Sequence, residues 1–259
     1  MVNIVVGGAT GKLGSLVCDL INESDDLKLT GAVVSSNGGH VGKEIYPGII
    51  AVGPESIQDV LKDTDIYVDL TTPDAASKII ADVPMTGANI VLGTTAIPQE
   101  VIDRMTENVK KYGTSALMSS NFAIGINVFW KVCEIMSDLL SDYDVEIIEA
   151  HHGAKKDSPS GTALEALKRV QLATGIEKTV YGRNGITGPR TKEIGMHSIR
   201  AGDMIGDHTV IFAKNMECLE LTHRAISRES LARGCVESIK WMANKKDGTV
   251  HNMNEVLGL

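Results

Sequence analysis

The stretch VVGGATGKLGS, Val5 to Ser15, decides the fold. It sets Gly8, Gly11 and Gly14 in a G-x-x-G-x-x-G spacing. Ahead of it, Val2 to Val6 is a short apolar, β-branched run that reads as a buried strand. Behind it, Leu13, Leu16, Val17, Leu20 and Ile21 recur at helical spacing and share one face. The glycines therefore sit in a strand–turn–helix. Gly8 permits the tight turn, Gly11 lets backbone N–H groups approach a pyrophosphate, and Gly14 lets the helix pack on the strand. The positive end of the helix then favours an anion. Glycines serving only a tight turn would not need that context, so the stretch predicts dinucleotide binding.

Working outward, strand and helix signals alternate. Strands are predicted at Leu27 to Val34, Ile66 to Leu70, Asn89 to Leu92 and Ser115 to Met118. Helices are predicted at Ser56 to Lys62, after Pro73, and at Pro98 to Lys111. This alternation implies right-handed βαβ units and a parallel, doubly wound sheet of the Rossmann type. A carboxylate at the end of the second strand would grip the adenosine ribose and select NAD. Here Ser35, Ser36 and Asn37 stand instead. Ser36 and Asn37 are able to donate to a 2′-phosphate, and His40 or Lys43 lies near enough in sequence to add charge. The reading is NADPH in preference to NADH.

Past Asn121 the texture changes. A long amphipathic helix is predicted at Ile126 to Leu140, a strand at Val145 to Ala150, and a helix at Ala163 to Leu172. Gly182 to Pro189 reads as a long loop. Strands at Met196 to Ala201, His208 to Phe212 and Cys218 to Thr222 follow without helices between them, which suggests an α+β domain with an open mixed sheet. A strong helix returns at Leu231 to Met242.

The bulk numbers narrow the function classes. The 259 residues are 43% hydrophobic and 22% charged, with a formal net charge of −8. Such a surface disfavours nucleic acid and anionic membranes as partners, while local basic clusters leave room for a small anionic substrate. The four cysteines, Cys18, Cys133, Cys218 and Cys235, form no CxxC pair, so neither a disulfide framework nor a zinc site is expected. No apolar run approaches the roughly 20 residues that span a bilayer, and no secretory signal is read. A cytoplasmic protein without a metal is the expectation.

The second informative stretch is EAHHGAKKDSPSGTAL, Glu149 to Leu164. His151 and His152 are neighbours at a strand end, so their side chains diverge and do not readily share a metal. The spacing of a Walker phosphate loop is absent. An anion site fits better. Ser158 or Ser160 suits a helix cap, Pro159 suits the first turn, and the N–H groups of Gly161 and Thr162 would face a carboxylate. Lys155 and Lys156 add positive charge, Lys156 being the more ordinary surface residue. A histidine beside a substrate-binding lysine is a natural proton donor.

With these motifs in place, the sequence resembles the dihydrodipicolinate reductases over essentially its whole length. The most specific part is EIIEAHHGAKKDSPSGTAL, which is similar to the family pattern E-x-x-E-x-H-H-x-x-K-x-D-x-P-S-G-T-A. The glycine turn, VDLTTP, LGTT, SSNFAIGIN, SIRAGDMIGDH and LTHRA support it in order. The resemblance implies NAD(P)H-dependent reduction of a cyclic, imine-type dicarboxylate formed from 4-hydroxy-tetrahydrodipicolinate by loss of water. It implies acid–base roles for His151 and Lys155, and substrate-carboxylate contacts at His152, Ser160, Gly161 and Thr162. It implies cofactor contacts at Gly8, Ala9, Thr10, Gly11, Lys12 and Leu13, at Ser35 and Ser36, and at Gly93, Thr94 and Thr95. Ser119, Ser120, Asn121 and Phe122 match a hinge segment that also touches cofactor. It further implies a discontinuous dinucleotide-binding domain, 1–122 with 228–259, around a substrate-binding and oligomerisation domain, 123–227, and a homotetramer. Leu70 departs from a common phenylalanine, Ala201 from a frequent glycine, and Ser35 and Ser36 from an acid–arginine pair. The rival readings are another two-domain oxidoreductase, such as an amino-acid dehydrogenase, and a non-catalytic nucleotide sensor.

Overall fold

A computed structural model describes residues 1–259. In chain order it begins with β1 (Val2–Gly7), α1 (Lys12–Asn22), β2 (Leu27–Val33), β3 (Glu44–Tyr46), β4 (Ile49–Ile50), α2 (Ile57–Val60) and β5 (Ile66–Asp69). There follow α3 (Pro73–Ala76), β6 (Asn89–Leu92), α4 (Gln99–Tyr112) and β7 (Ala116–Met118). Next come α5 (Ile124–Leu139), β8 (Asp144–His151), α6 (Gly161–Thr174), β9 (Thr179–Tyr181), β10 (Ile194–Arg200), β11 (Asp207–Lys214) and β12 (Glu217–Arg224). The chain closes with α7 (Glu229–Met242), β13 (Val250–His251) and α8 (Met253–Leu257). It divides into two compact units, Met1–Ala123 with Glu229–Leu259, and Ile124–Arg228.

The first unit is a six-stranded sheet in the order β13-β7-β6-β5-β1-β2. Every pairing in it is parallel. Helices cover both faces. Ile4 and Val6 of β1 point into a layer with Val17, Cys18 and Ile21 of α1 and Ala232, Cys235 and Ile239 of α7. Val5 points the other way, into a layer with Met105 and Val109 of α4. The period of two along a strand buried on both faces explains why β1 reads as an unbroken apolar run. Three pieces lie outside the sequence reading: the β3–β4 hairpin, β13 with α8 at the carboxyl end, and β9 of the second unit. Strands of two or three residues carry too little pattern to be read.

The second unit is a five-stranded mixed sheet in the order β12-β11-β8-β10-β9. β8 is central, parallel to β10 and antiparallel to β11. Val145, Ile147, Glu149 and His151 fall on one face of β8 and are all buried. A polar pair thus continues an apolar face, and the site grows from it.

Candidate functional site

In the first unit the glycine turn is built by backbone. Gly8 has φ +80°, a left-handed value that favours glycine, and a Cβ there would lie 2.4 Å from the Leu70 carbonyl oxygen. A Cβ on Gly14 would lie 2.1 Å from the Gly8 carbonyl oxygen. The turn is therefore a concavity that side chains would fill, at the start of a helix whose first turn has no side-chain cap. That is what a pyrophosphate needs, so the residues fit a dinucleotide. The Gly11 N–H donates to the Gly8 carbonyl at 2.8 Å, and those of Gly8 and Ala9 donate to Val33. The N–H groups of Thr10, Lys12 and Leu13 have no such partner and stay available to an anion.

Nearby, at the carboxyl ends of β5 and β6, Asp69 is fully buried with no cation against it. It accepts hydrogen bonds from Tyr67 Oη (2.9 Å), Thr71 Oγ1 (2.7 Å) and Thr94 Oγ1 (2.6 Å). Thr94 in turn accepts from the Thr71 N–H at 2.9 Å. The reading of VDLTTP gave Asp69 no role, yet it fixes both threonines. Thr94, Thr95, Ser119 and Ser120 line one open pocket with Met118 and Ile97. Asn121 accepts from the Ala123 N–H through Oδ1 at 2.9 Å. Phe122 is only 2% exposed and packs against Gly93, where a Cβ would lie 2.6 Å from its ring. Its side chain supports the wall behind Gly93 and is not an exposed contact.

In the second unit the site is built by side chains. His151 Nδ1 lies 2.5 Å from Glu149 Oε2. Residues i and i+2 of a strand share a face, so this dyad is local. Strand pairing supplies the rest. β10 sets Arg200 opposite His151, and β11 sets His208 opposite Glu149. Arg200 grips both oxygens of Glu149, at 2.9 and 2.8 Å, and also donates to the Asp157 carbonyl at 2.7 Å. The Ser160 N–H adds a third donor to Glu149 at 3.2 Å. Burial works against the Glu149 charge, but hydrogen bonds from Arg200, Ser198 and His151 hold its carboxyl below the usual range. A carboxylate so held orients the imidazole with its proton on Nδ1, leaving Nε2 free of that bond. Burial lowers His151 from its ordinary value, the Glu149 contact opposes this, and the charges of Lys155 and Arg200 add to it. Gly206 lies against Nε2, where a Cβ would approach to 3.1 Å.

His208 is buried edge-on to His151, with ring centroids 5.2 Å apart. Burial, helped by the His151 charge, pushes it down to about 4. Its Nε2 lies 3.1 Å from Ser160 Oγ, which also caps α6 by accepting from the Ala163 N–H at 3.2 Å. Ser160 is thus 2% exposed, and its hydroxyl already has two partners within the protein. Pro159 precedes the cap and does not stand in the first turn, and its bond to Ser158 is cis. Gly161 and Thr162 do form that first turn, Gly161 is exposed, and the space a Cβ would take on it is open. Trp130 Nε1 donates to the Thr162 carbonyl at 3.1 Å. Lys155 pairs with Asp157 at 2.9 Å, His152 is half-buried just past β8, and Lys156 is exposed. Glu149, Arg200, His208 and Gly206 are the residues the sequence reading passed over. No group of three or more His, Cys, Asp or Glu side chains is arranged to hold a metal ion.

Comparison with known proteins agrees on one family. Residues 2–122 match the profile described as dihydrodipicolinate reductase, N-terminus, and residues 125–257 match that for the C-terminus. The chain is 42% identical over 270 aligned positions to the 4-hydroxy-tetrahydrodipicolinate reductase of Methanocaldococcus jannaschii, covering 100% of this chain and 98% of that one. It is 41% identical to the enzyme of the same name from Methanococcus aeolicus, covering 100% and 99%. Among solved structures, the dipicolinate-bound dihydrodipicolinate reductase of Paenisporosarcina sp. TG-14 superimposes with a TM-score of 0.82 at 23% identity, over 98% of this chain and 99% of that one. At that identity the likeness speaks for the fold.

Proposed function

The chain belongs to the dihydrodipicolinate reductase family, and we propose from that premise that it reduces the dehydrated form of 4-hydroxy-tetrahydrodipicolinate to tetrahydrodipicolinate in diaminopimelate and lysine biosynthesis. It is an oxidoreductase that uses a nicotinamide dinucleotide, NADH or NADPH. The observation that carries the reading is likeness to reductases of that name along the full length of both units. The turn of Gly8 and Gly14 and the pocket lined by Thr94 and Ser119 would hold the cofactor, which would supply a hydride when bound.

The rest of the chemistry falls to side chains of the second unit. The substrate carries two carboxylates. The exposed first turn of α6, at Gly161 and Thr162, receives one, and His152 and Lys155 attract the other. Reduction of the imine-type ring leaves an enamine that must take up one proton. His151, protonated beforehand, gives it from Nε2 and becomes neutral, while Glu149, held by Arg200, steadies the imidazolium that precedes the transfer. Lys155 lies close enough for its charge to act on His151, and it is the second candidate donor. The lowered proton affinity of free His151 has a consequence. A donor must be protonated, so kcat/KM should fall as pH rises through a midpoint below 6.5, the ordinary histidine value. Glu149→Gln removes an influence that raises His151 and should move the midpoint lower still. A kcat/KM flat from pH 5 to 8 would take the role from His151.

Assembly as a homotetramer in the cytoplasm completes the reading. What supports association is the edge strand β12, which leaves Cys218 and Leu219 exposed, with Met216 and Ile226 exposed just beyond its two ends. Sedimentation at equilibrium tests it. The central test couples the purified chain to dihydrodipicolinate synthase with pyruvate and aspartate semialdehyde and follows cofactor absorbance. Loss of absorbance is expected. Tight cofactor binding without turnover would instead favour a sensor.

A further inference from the structure

The end of β2 stands beside the glycine turn, because Val33 accepts from the N–H groups of Gly8 and Ala9. In such sheets the residues just past this strand meet the adenosine ribose. Here they are Ser35 and Ser36, both exposed. A second segment leaves the sheet at the same place. Val52 bridges Val33 in parallel, donates to the Ala32 carbonyl and accepts from the Val34 N–H, both at 2.9 Å. Running parallel to β2, it delivers Glu55 three residues later to the same edge. Ser36 Oγ donates to Glu55 Oε2 at 3.2 Å. Glu55 folds back over Gly53, and a Cβ on Gly53 would lie 2.1 Å from its carboxylate. The carboxylate is exposed, and no ion pair neutralises it.

We propose that Glu55 reads the adenosine end of the cofactor and selects NADH over NADPH, an assignment that rests on the dinucleotide reading of the Gly8–Gly14 turn. The carboxylate missing from the end of β2 is supplied from another segment. It accepts hydrogen bonds from the 2′- and 3′-hydroxyls of NADH. A 2′-phosphate, with a charge of about −1.5 to −2, meets a fixed negative charge instead. The hydroxyl of Ser36, read from sequence as a phosphate donor, already donates to Glu55. Neither His40 nor Lys43 forms an ion pair with Glu55, so the charge stands. This reverses the preference expected from Ser35 and Ser36 alone.

The test is equilibrium binding, by calorimetry, of NADH and NADPH to the full chain and to its Glu55→Gln and Glu55→Lys variants. Unfolding temperatures confirm that the exposed substitutions leave the fold intact. The native chain should bind NADH at least about 10-fold more tightly than NADPH. Glu55→Gln should close most of that gap by strengthening NADPH, and Glu55→Lys should invert it. Added salt should narrow the native discrimination and leave the Glu55→Gln ratio nearly unmoved. Tighter NADPH binding by the native chain, or a Glu55→Gln ratio within about 2-fold of native, would overturn the assignment. If neither cofactor binds any of the three proteins, the dinucleotide reading itself fails and takes the assignment with it.

Discussion

On the proposed function the glycine turn of the first unit and the β8–α6 segment of the second both meet anions, and they are built by opposite means. The turn works by subtraction. Gly8 and Gly14 leave out the Cβ atoms that would meet backbone at 2.4 and 2.1 Å, and uncapped helix N–H groups remain. The β8–α6 segment works by addition. It buries a carboxylate, grips it with a guanidinium, and uses it to aim a histidine. Binding a constant group such as pyrophosphate needs only shape and backbone dipoles. Moving a proton needs a group whose charge changes, and such a group must be tuned by neighbours.

The sharpest way to break this contrast is His151→Gln. If the second region owns the proton, kcat should drop about 10²- to 10⁴-fold, with cofactor affinity and unfolding temperature nearly native. Steady-state kinetics check it, and a near-normal kcat would sink the assignment. Next in size is Arg200→Met. Glu149 is fully buried, and losing its bidentate partner leaves a desolvated charge, at a cost of about 3 kcal/mol of stability. Adding Glu149→Gln to that variant should restore much of the loss in a urea titration. If it does not, Arg200 stabilises by packing and not by charge. The matching change in the first region is Gly14→Ala. Its Cβ meets a carbonyl that cannot step aside, so a loss of about 2 kcal/mol is expected, together with weaker dinucleotide binding. Turnover at saturating cofactor should survive, because no proton-moving group is touched.

The two regions also differ in how far a sequence reveals them. The turn is contiguous: three glycines, the strand before and the helix after lie within residues 2–22, so spacing alone conveys it. The Glu149–His151 pair was equally local. Strand periodicity puts both on one face, but nothing in the sequence marks Glu149 as buried beside the more conspicuous His151–His152 doublet. Arg200 and His208 are different in kind. Arg200 stands 51 residues from Glu149 and arrives through the register of β10 on β8. No local pattern encodes a register between strands joined by a helix and a long loop. Glu55 is the same case in the first unit, brought to Ser36 by the Val33–Val52 bridge. Reading the end of β2 alone therefore leaves out a carboxylate that stands at the same edge.

The smallest expected effect tests where binding ends and support begins. Ser160 lies in the segment that resembles a carboxylate-binding motif, yet its hydroxyl is buried between the Ala163 N–H and His208 Nε2. A hydroxyl 2% exposed and bonded on two sides is poorly placed to reach a ligand, so Ser160→Ala should act on α6 more than on substrate. Loss of the cap should cost about 1 kcal/mol, seen as a lower urea midpoint. Its backbone N–H still reaches Glu149, so kcat and its pH dependence should stay near native. KM for the dicarboxylate should also hold, since the Gly161 and Thr162 N–H groups depend on the course of the helix and not on the cap's oxygen. A KM raised 10-fold or more with native stability would return Ser160 to the substrate. The boundary between the carboxylate site and its supporting shell would then run through the cap itself.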